Sequence, residues 1–198
     1  MYAFLSGKRI ILVSRSPRRI QLLNQIKLPF EVAPGLFEEG LVSRKTPAEY
    51  ACHQALQKAL SVVSQYPEAF LIGADTVVVD EQGILEKPVN PADACQMLRR
   101  LRGKTHQVIT GVAVVATGKT GKDVKYLVRY ESTEVRMRAL SEEEIQGYVR
   151  TGEPMDKAGA YAIQGVGALL VEGINGCYYN VVGLPLVLLM KMLKEMTR

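Results

Sequence analysis

The stretch at residues 106–138, "HQVITGVAVVATGKTGKDVKYLVRYESTEVRMR", decides the fold. Its first part is apolar and rich in β-branched residues. Its second part mixes apolar with charged residues, and "GKTGK" between them is a turn signal. Two long strands around a short turn are therefore expected. Elements before this hairpin read as alternating strands and helices. The hairpin breaks the alternation, so strict βαβ repetition fails and an α/β or α+β fold with a mixed sheet is expected.

Moving outward, "AFLIGADTVVVD" (Ala69–Asp80) is nearly continuous in apolar, β-forming residues and reads as a central strand. "EQG" turns it and "ILEKP" returns. Asn90-Pro91 caps a helix through Leu101, stopped by Gly103. Upstream, Thr46-Pro47-Ala48-Glu49 has the form of a capping box, with a helix to about Gln65. A short strand is expected at 10–13. Pro17 then suits the first turn of a helix whose apolar residues are Ile20, Leu22, Leu23 and Ile26. Pro29 and Phe30 end that helix and start a short strand. Downstream, Ser141 with three glutamates opens a helix, acidic at its positive end. "EPMDKAGAYAIQG" (153–165) reads as a polar, glycine-bearing loop, "ALLVEGI" (168–174) as a strand, and a last helix starts near Pro185.

The chain has 198 residues, 47% hydrophobic and 23% charged, which suits one globular domain with a real core and excludes a disordered or fibrous chain. The longest apolar runs, such as "VVGLPLVLLM", are too short to span a bilayer. The start, "MYAFLSGKRI", lacks the features of a secretion signal. A soluble, cytoplasmic protein that does not enter the membrane is expected. Three distant cysteines without a Cys-x-x-Cys pair point to reduced, mostly buried thiols. With only two histidines, a His/Cys zinc site is not expected, and any metal would be a hard cation held by carboxylates and substrate. A net charge of +5 suits an anionic partner: nucleic acid, a membrane surface or a polyphosphate metabolite.

Three groups of residues carry chemistry. "SRSPRR" (14–19) sits where a strand gives way to a helix. The helix N-terminus offers unpaired N–H groups, and Arg18 and Arg19 add charged donors that fork onto phosphate oxygens. The alternative is a plain serine cap with solvated arginines. The second group is acidic. Glu38-Glu39 follow a strand, and Asp75 interrupts an apolar strand, a costly position unless paired or bound to a cation. A satisfied structural aspartate is the alternative. Lys58 and Lys87 are candidates to face the same anion, and plain surface charge is the alternative for each. The third group is the 153–165 loop. Asp156 and Lys157 can pair, Gly159 and Gly165 allow close backbone approach, and Gln164 offers one donor and one acceptor on one planar amide, the complement of a uracil or thymine imide edge. A turn residue bonding its own loop is the alternative there.

Two motifs are set aside. "TGKTGKD" contains Gly-Lys-Thr, but Ala113 stands where a P-loop needs its first glycine. "MLRRLRGK" resembles a nucleic-acid patch, yet its arginines sit at a helix end, where basic residues suit the dipole.

"LVSRSPRRIQLL", "GADTVV", "LEKP", "MLRRLRGKTHQVITGVAV", "PMDKAGAYAIQG" and "INGCYYNVVGLPL" resemble, in order, the signatures of the Maf proteins, nucleoside triphosphate pyrophosphatases. The resemblance runs from about Leu12 to Leu186. It implies a single bilobed domain over residues 1–198: an α/β fold like that of the inosine triphosphate pyrophosphatases, with a long twisted mixed sheet flanked by helices and a nucleotide-binding cleft between two lobes. It further implies hydrolysis of a nucleoside triphosphate to monophosphate and pyrophosphate, dependent on Mg²⁺ or Mn²⁺.

Asp75 falls on the family's proton-acceptor position, and Ser14, Arg19, Glu39, Lys58 and Lys87 on active-site polar positions. Arg18, Thr76 and Gln164 fall on positions that separate branches of the family. The Arg, Thr, Gln set resembles the branch cleaving dTTP and UTP, and differs from the aromatic, Gln, Glu set of the branch acting on methylated guanosine triphosphate. The catalytic candidates are thus Asp75, Glu39, Lys58 and Lys87. The substrate-binding candidates are Ser14, Arg18, Arg19, Thr76, Gln164, Asp156 and Lys157, and the metal ligands Glu39 and Asp75. An aspartate of ordinary pKa, about 3.9, is a weak base at neutral pH. Asp75 is therefore expected to orient a water acidified by the metal and to take its proton late.

The chain departs from the family in three places: Leu12-Val13-Ser14 for Leu-Ala-Ser, Phe37-Glu38-Glu39 for Ile-Asp-Glu, and His53 for an arginine. Altered affinity is expected from these, not lost chemistry. A pyrophosphatase for modified purine nucleotides is the second reading. A nucleic-acid or septum-associated regulator is a third, opposed by 7% aromatic residues and no Trp. A homodimer is expected.

Overall fold

A computed structural model of the chain describes residues 2–37, 46–120 and 123–197. Among the described residues, seven strands form one mixed sheet: β1 (Arg9–Val13), β2 (Glu31–Ala33), β3 (Ala69–Asp80), β4 (Gly83–Leu85), β5 (Thr105–Thr117), β6 (Val124–Met137) and β7 (Val171–Asn175). Their order is β2-β1-β3-β5-β6-β7, with β4 also pairing β3. The pairs β1/β2 and β1/β3 are parallel, whereas β3/β4 and β6/β7 are antiparallel. The helices are α1 (Pro17–Gln25), α2 (Pro47–Leu60), α3 (Pro91–Leu101), α4 (Glu142–Arg150), α5 (Tyr178–Val182) and α6 (Leu186–Met196). Among the described residues no helix is long and apolar enough to cross a membrane.

The chain forms two compact units. The first comprises Met1–Asp75, Thr110–Glu131 and Gly183–Arg198; the second comprises Thr76–Ile109 and Ser132–Val182. The core of the first unit packs Ile11, Val13, Leu71 and Val115 against Ala55, Ala59 and Val62. The core of the second packs Leu98 and Leu101 of α3 with Val108, Val135, Met137, Ile145 and Tyr148.

Helix starts follow local chemistry. Thr46 and Glu49 form a reciprocal capping box at α2, with Pro47 in the first turn. Asn90 caps α3 by accepting the Asp93 N–H, and Ser141 and Glu144 form a second box at α4.

Helix α2 lies unusually close to the sheet. Ala51, Ala55 and Ala59 recur every four residues, form one face and are fully buried. They meet glycines: a Cβ at Gly73 would lie 2.1 Å from the Ala55 carbonyl oxygen, and one at Gly111 would lie 2.4 Å from the Ala51 backbone. Two absent side chains on β3 and β5 thus set the height of the helix.

Some sequence expectations shift. Helix α2 ends at Leu60, five residues early, and a 3-10 turn covers Val63–Gln65. The strand expected at 168–174 begins only at Val171, because Gly165–Leu170 coils as a 3-10 turn. Helix α5 was not expected. The 153–165 loop is itself built largely of tight turns, Glu153–Asp156 and Ala158–Ala160. All three cysteines are free, but half-buried where burial was expected.

Candidate active site

In the first unit, β1 and β3 run parallel with Leu12 opposite Ile72. Ser14 lies two residues beyond that pair and Asp75 three, so both stand at the carboxyl end of the sheet. Open α/β sheets bind ligands at that end. The Ser14 hydroxyl accepts the Ser16 N–H at 3.1 Å, which bends the chain into α1. Ser16 is the helix cap by position, yet its side chain makes no capping bond. Ser14, 8% exposed, does the local holding.

Arg19 is anchored: its Nε donates to the Gly183 carbonyl at 2.8 Å, and its Nη1 lies 3.5 Å from the Ser14 hydroxyl. Fixing one edge of the guanidinium orients the remaining donors. Arg18 is half-buried in the same first turn, while Arg15 is exposed.

Across the same end of the sheet, Lys58 from the last turn of α2 donates to Asp75 Oδ1 at 2.5 Å. The two side chains are 13% and 12% exposed. This answers the question raised by an acid in an apolar strand. A buried aspartate is paired with a half-buried lysine, so the acid is not an uncompensated charge within the apolar strand. Glu39 lies outside the described residues.

The second unit holds Thr76, Lys87, Asp156, Lys157 and Gln164. Thr76 follows Asp75 on β3 and is half-buried. Lys87 is exposed just beyond β4. Lys157, 11% exposed at its side chain, donates to Asp156 Oδ1 at 2.6 Å, the pairing expected from adjacency. Gln164 is half-buried, and its amide makes no hydrogen bond among the described residues.

Several polar residues in this unit escaped sequence reasoning. The Glu153 carboxylate accepts the Val166 and Gly167 N–H groups and the Tyr148 hydroxyl, each at 3.0 Å. Buried His106 places its Nε2 2.6 Å from the Tyr161 hydroxyl, and Arg100 forks onto Asp80. The signal for Glu153 was an acid ahead of a glycine-rich turn, whose free N–H groups need an acceptor. Nothing local marked the His106–Tyr161 pair, 55 residues apart.

Among the described residues no three His, Cys, Asp or Glu side chains cluster to hold a metal. The donors expected for one, Asp75 and Glu39, are both carboxylates, the oxygen ligands that Mg²⁺ prefers. Such ions take one or two carboxylates and complete their shell with water and substrate phosphates. The donor chemistry therefore fits a hard divalent cation.

The fold and this arrangement define an open-sheet α/β protein with a basic and acidic cluster at the strand carboxyl ends. More narrowly, the chain belongs to the Maf family, since residues 9–196 match the Maf-like proteins. It is 50% identical over 190 residues to a dTTP/UTP pyrophosphatase of Dictyoglomus thermophilum, covering 96% of each chain. It is 50% identical over 188 residues to a protein of the same name from Symbiobacterium thermophilum, covering 95% of this chain and 94% of that one. A looser likeness is to the Ham1 protein of Staphylococcus aureus, at 16% identity, a TM-score of 0.46 and coverage of 67% of this chain and 73% of the other.

Proposed function

We propose that this chain, acting as a single domain, is a house-cleaning nucleotide pyrophosphatase. It hydrolyses dTTP and UTP between the α- and β-phosphates to the monophosphate and pyrophosphate. The observation that carries the reading is that the Lys58–Asp75 pair and the Ser14–Arg19 pair both stand at the carboxyl end of the paired strands β1 and β3, in a chain about half identical to proteins named for this activity.

Ser14, Arg18 and Arg19 bind phosphate oxygens, aided by the N-terminus of α1. Asp75 orients the attacking water and accepts its proton. Lys58 leaves Asp75 to neutralise charge building on the phosphates, and Lys87 does the same for the departing pyrophosphate. Thr76 and Gln164 select the base, and the Asp156–Lys157 pair belongs to the substrate-binding loop. Asp75 and Glu39 would hold Mg²⁺ or Mn²⁺, which when bound supplies an acidified water and draws charge from the phosphates.

Three free thiols support a reducing, cytoplasmic setting. The assembly proposed is a homodimer, which sedimentation velocity tests. Nucleic acid is not proposed as a partner.

Pyrophosphate release across the common nucleoside triphosphates, with and without Mg²⁺, tests the activity. Fast, metal-dependent release from dTTP and UTP is expected. Preference for GTP or a methylated guanosine triphosphate would move the chain to the purine branch. Salt-sensitive DNA binding without hydrolysis would overturn the reading.

A further inference from the structure

The loop at 161–167 carries Gln164 and is tied down on both sides of it. Three residues before, the Tyr161 ring meets His106 edge to face at 86°, with the hydroxyl 2.6 Å from Nε2. Both side chains are buried. After it, the Glu153 carboxylate accepts two successive backbone donors, Val166 N–H on Oε2 and Gly167 N–H on Oε1, and Tyr148 adds a third bond to Oε1. Glu153 is fixed in turn, because its own carbonyl accepts Lys157 Nζ.

The loop is laid directly on this carboxylate. Gly165 takes φ of +64°, and a Cβ there would lie 2.7 Å from Glu153 Oε2. A Cβ at Gly167 would lie 2.3 Å from the Ala162 carbonyl and 2.7 Å from the Tyr148 hydroxyl. Three donors converge on Glu153, which only an ionised carboxylate can accept together; an amide would turn a donor toward a donor. Burial pushes the Glu153 carboxyl up, but the bonds from Gly167, Val166 and Tyr148 outweigh it and hold the group below the usual carboxylate range. Gln164, bonded to nothing described, takes its orientation from the backbone that these contacts fix.

We infer that Glu153 is a positioning residue for base selection: by bracing the Val166 and Gly167 amides it fixes Gln164 against the pyrimidine imide edge. The inference rests on the reading that Gln164 selects the base. Glu153 touches no reacting atom, so it governs which nucleotide is accepted and not the rate of bond cleavage.

The test has two arms, using the full chain. Hydrogen exchange without nucleotide reads the brace. Glu153→Gln is expected to speed exchange at Val166 and Gly167 at least tenfold while leaving the α2 amides unchanged. Steady-state kinetics read the consequence. Glu153→Gln is expected to raise KM for UTP and lower the preference for UTP over CTP about tenfold, the scale of one lost hydrogen bond, with kcat within about threefold of wild type. Tyr148→Phe, which removes one donor and is mild enough to fold, is expected to move the same ratio less. In a Gln164→Ala background, Glu153→Gln should alter the ratio no further. An unchanged ratio in both variants overturns the inference. So does an equal loss of kcat on every nucleotide, or a full further effect without Gln164. A wild-type enzyme indifferent to the base would sink the reading of Gln164 and this inference with it, while the exchange arm still reports whether the brace exists.

Discussion

Asp75 is 9% exposed, and its Oδ1 accepts from the Lys58 ammonium at 2.5 Å. Asp75→Asn keeps the shape and removes the charge. Turnover of dTTP is expected to fall by about 10²–10⁴, the usual scale of general-base help, with pyrophosphate release as the measurement. Turnover at the wild-type rate would remove Asp75 from the chemistry. His106 offers a prediction about pH. Burial holds its pKa down to about 4, against 6.5 ordinarily. Between these values the unfolded chain takes up a proton that the folded chain refuses, so stability falls as pH drops from about 6.5 to 4. The loss is about 3 kcal/mol at most. Thermal melts across that range should show it, and His106→Gln should flatten the slope. An identical slope in the variant would assign the acid limb to other groups.

At the scale of elements, the contact between α2 and the sheet leaves no tolerance. Gly73→Ala forces the Ala55 carbonyl aside, and overpacking of this kind costs about 1–3 kcal/mol or more. A fall of several degrees in Tm is expected. Because α2 also carries Lys58, kcat should fall with it. A variant with unchanged Tm would show that the helix can rise freely. Elements were legible in the sequence where their cause is local. Thr46, Asn90 and Ser141 announced three helices because a cap is a contact over three residues. The start of β7 was not legible, because Gly165–Leu170 is coiled by bonds to Glu153 from outside the segment. Lys58 was visible as a charge, but its pairing with Asp75 spans 17 residues and two elements, and only tertiary structure brings it about.

For the molecule as a whole, a net charge of +5 sets up a field that favours a tetra-anionic substrate. KM for UTP should rise with added salt as that field is screened beyond roughly 10 Å at 0.1 M, while kcat stays nearly level. A KM indifferent to salt would confine the attraction to the contact residues. The mixed sheet was legible because one hairpin interrupts an alternating pattern, and the types of the candidate site residues could be proposed because they stand in family order. Their geometry was not, since Ser14 and Asp75 come to the same end of the sheet only through the pairing of β1 with β3. The bare backbone under α2 has one more consequence, for how variation in this protein is interpreted. In a saturation screen for activity, positions 73 and 111 should go blank beside 75 and 58. Two glycines that meet no nucleotide would then pass for catalytic sites unless abundance is scored alongside turnover.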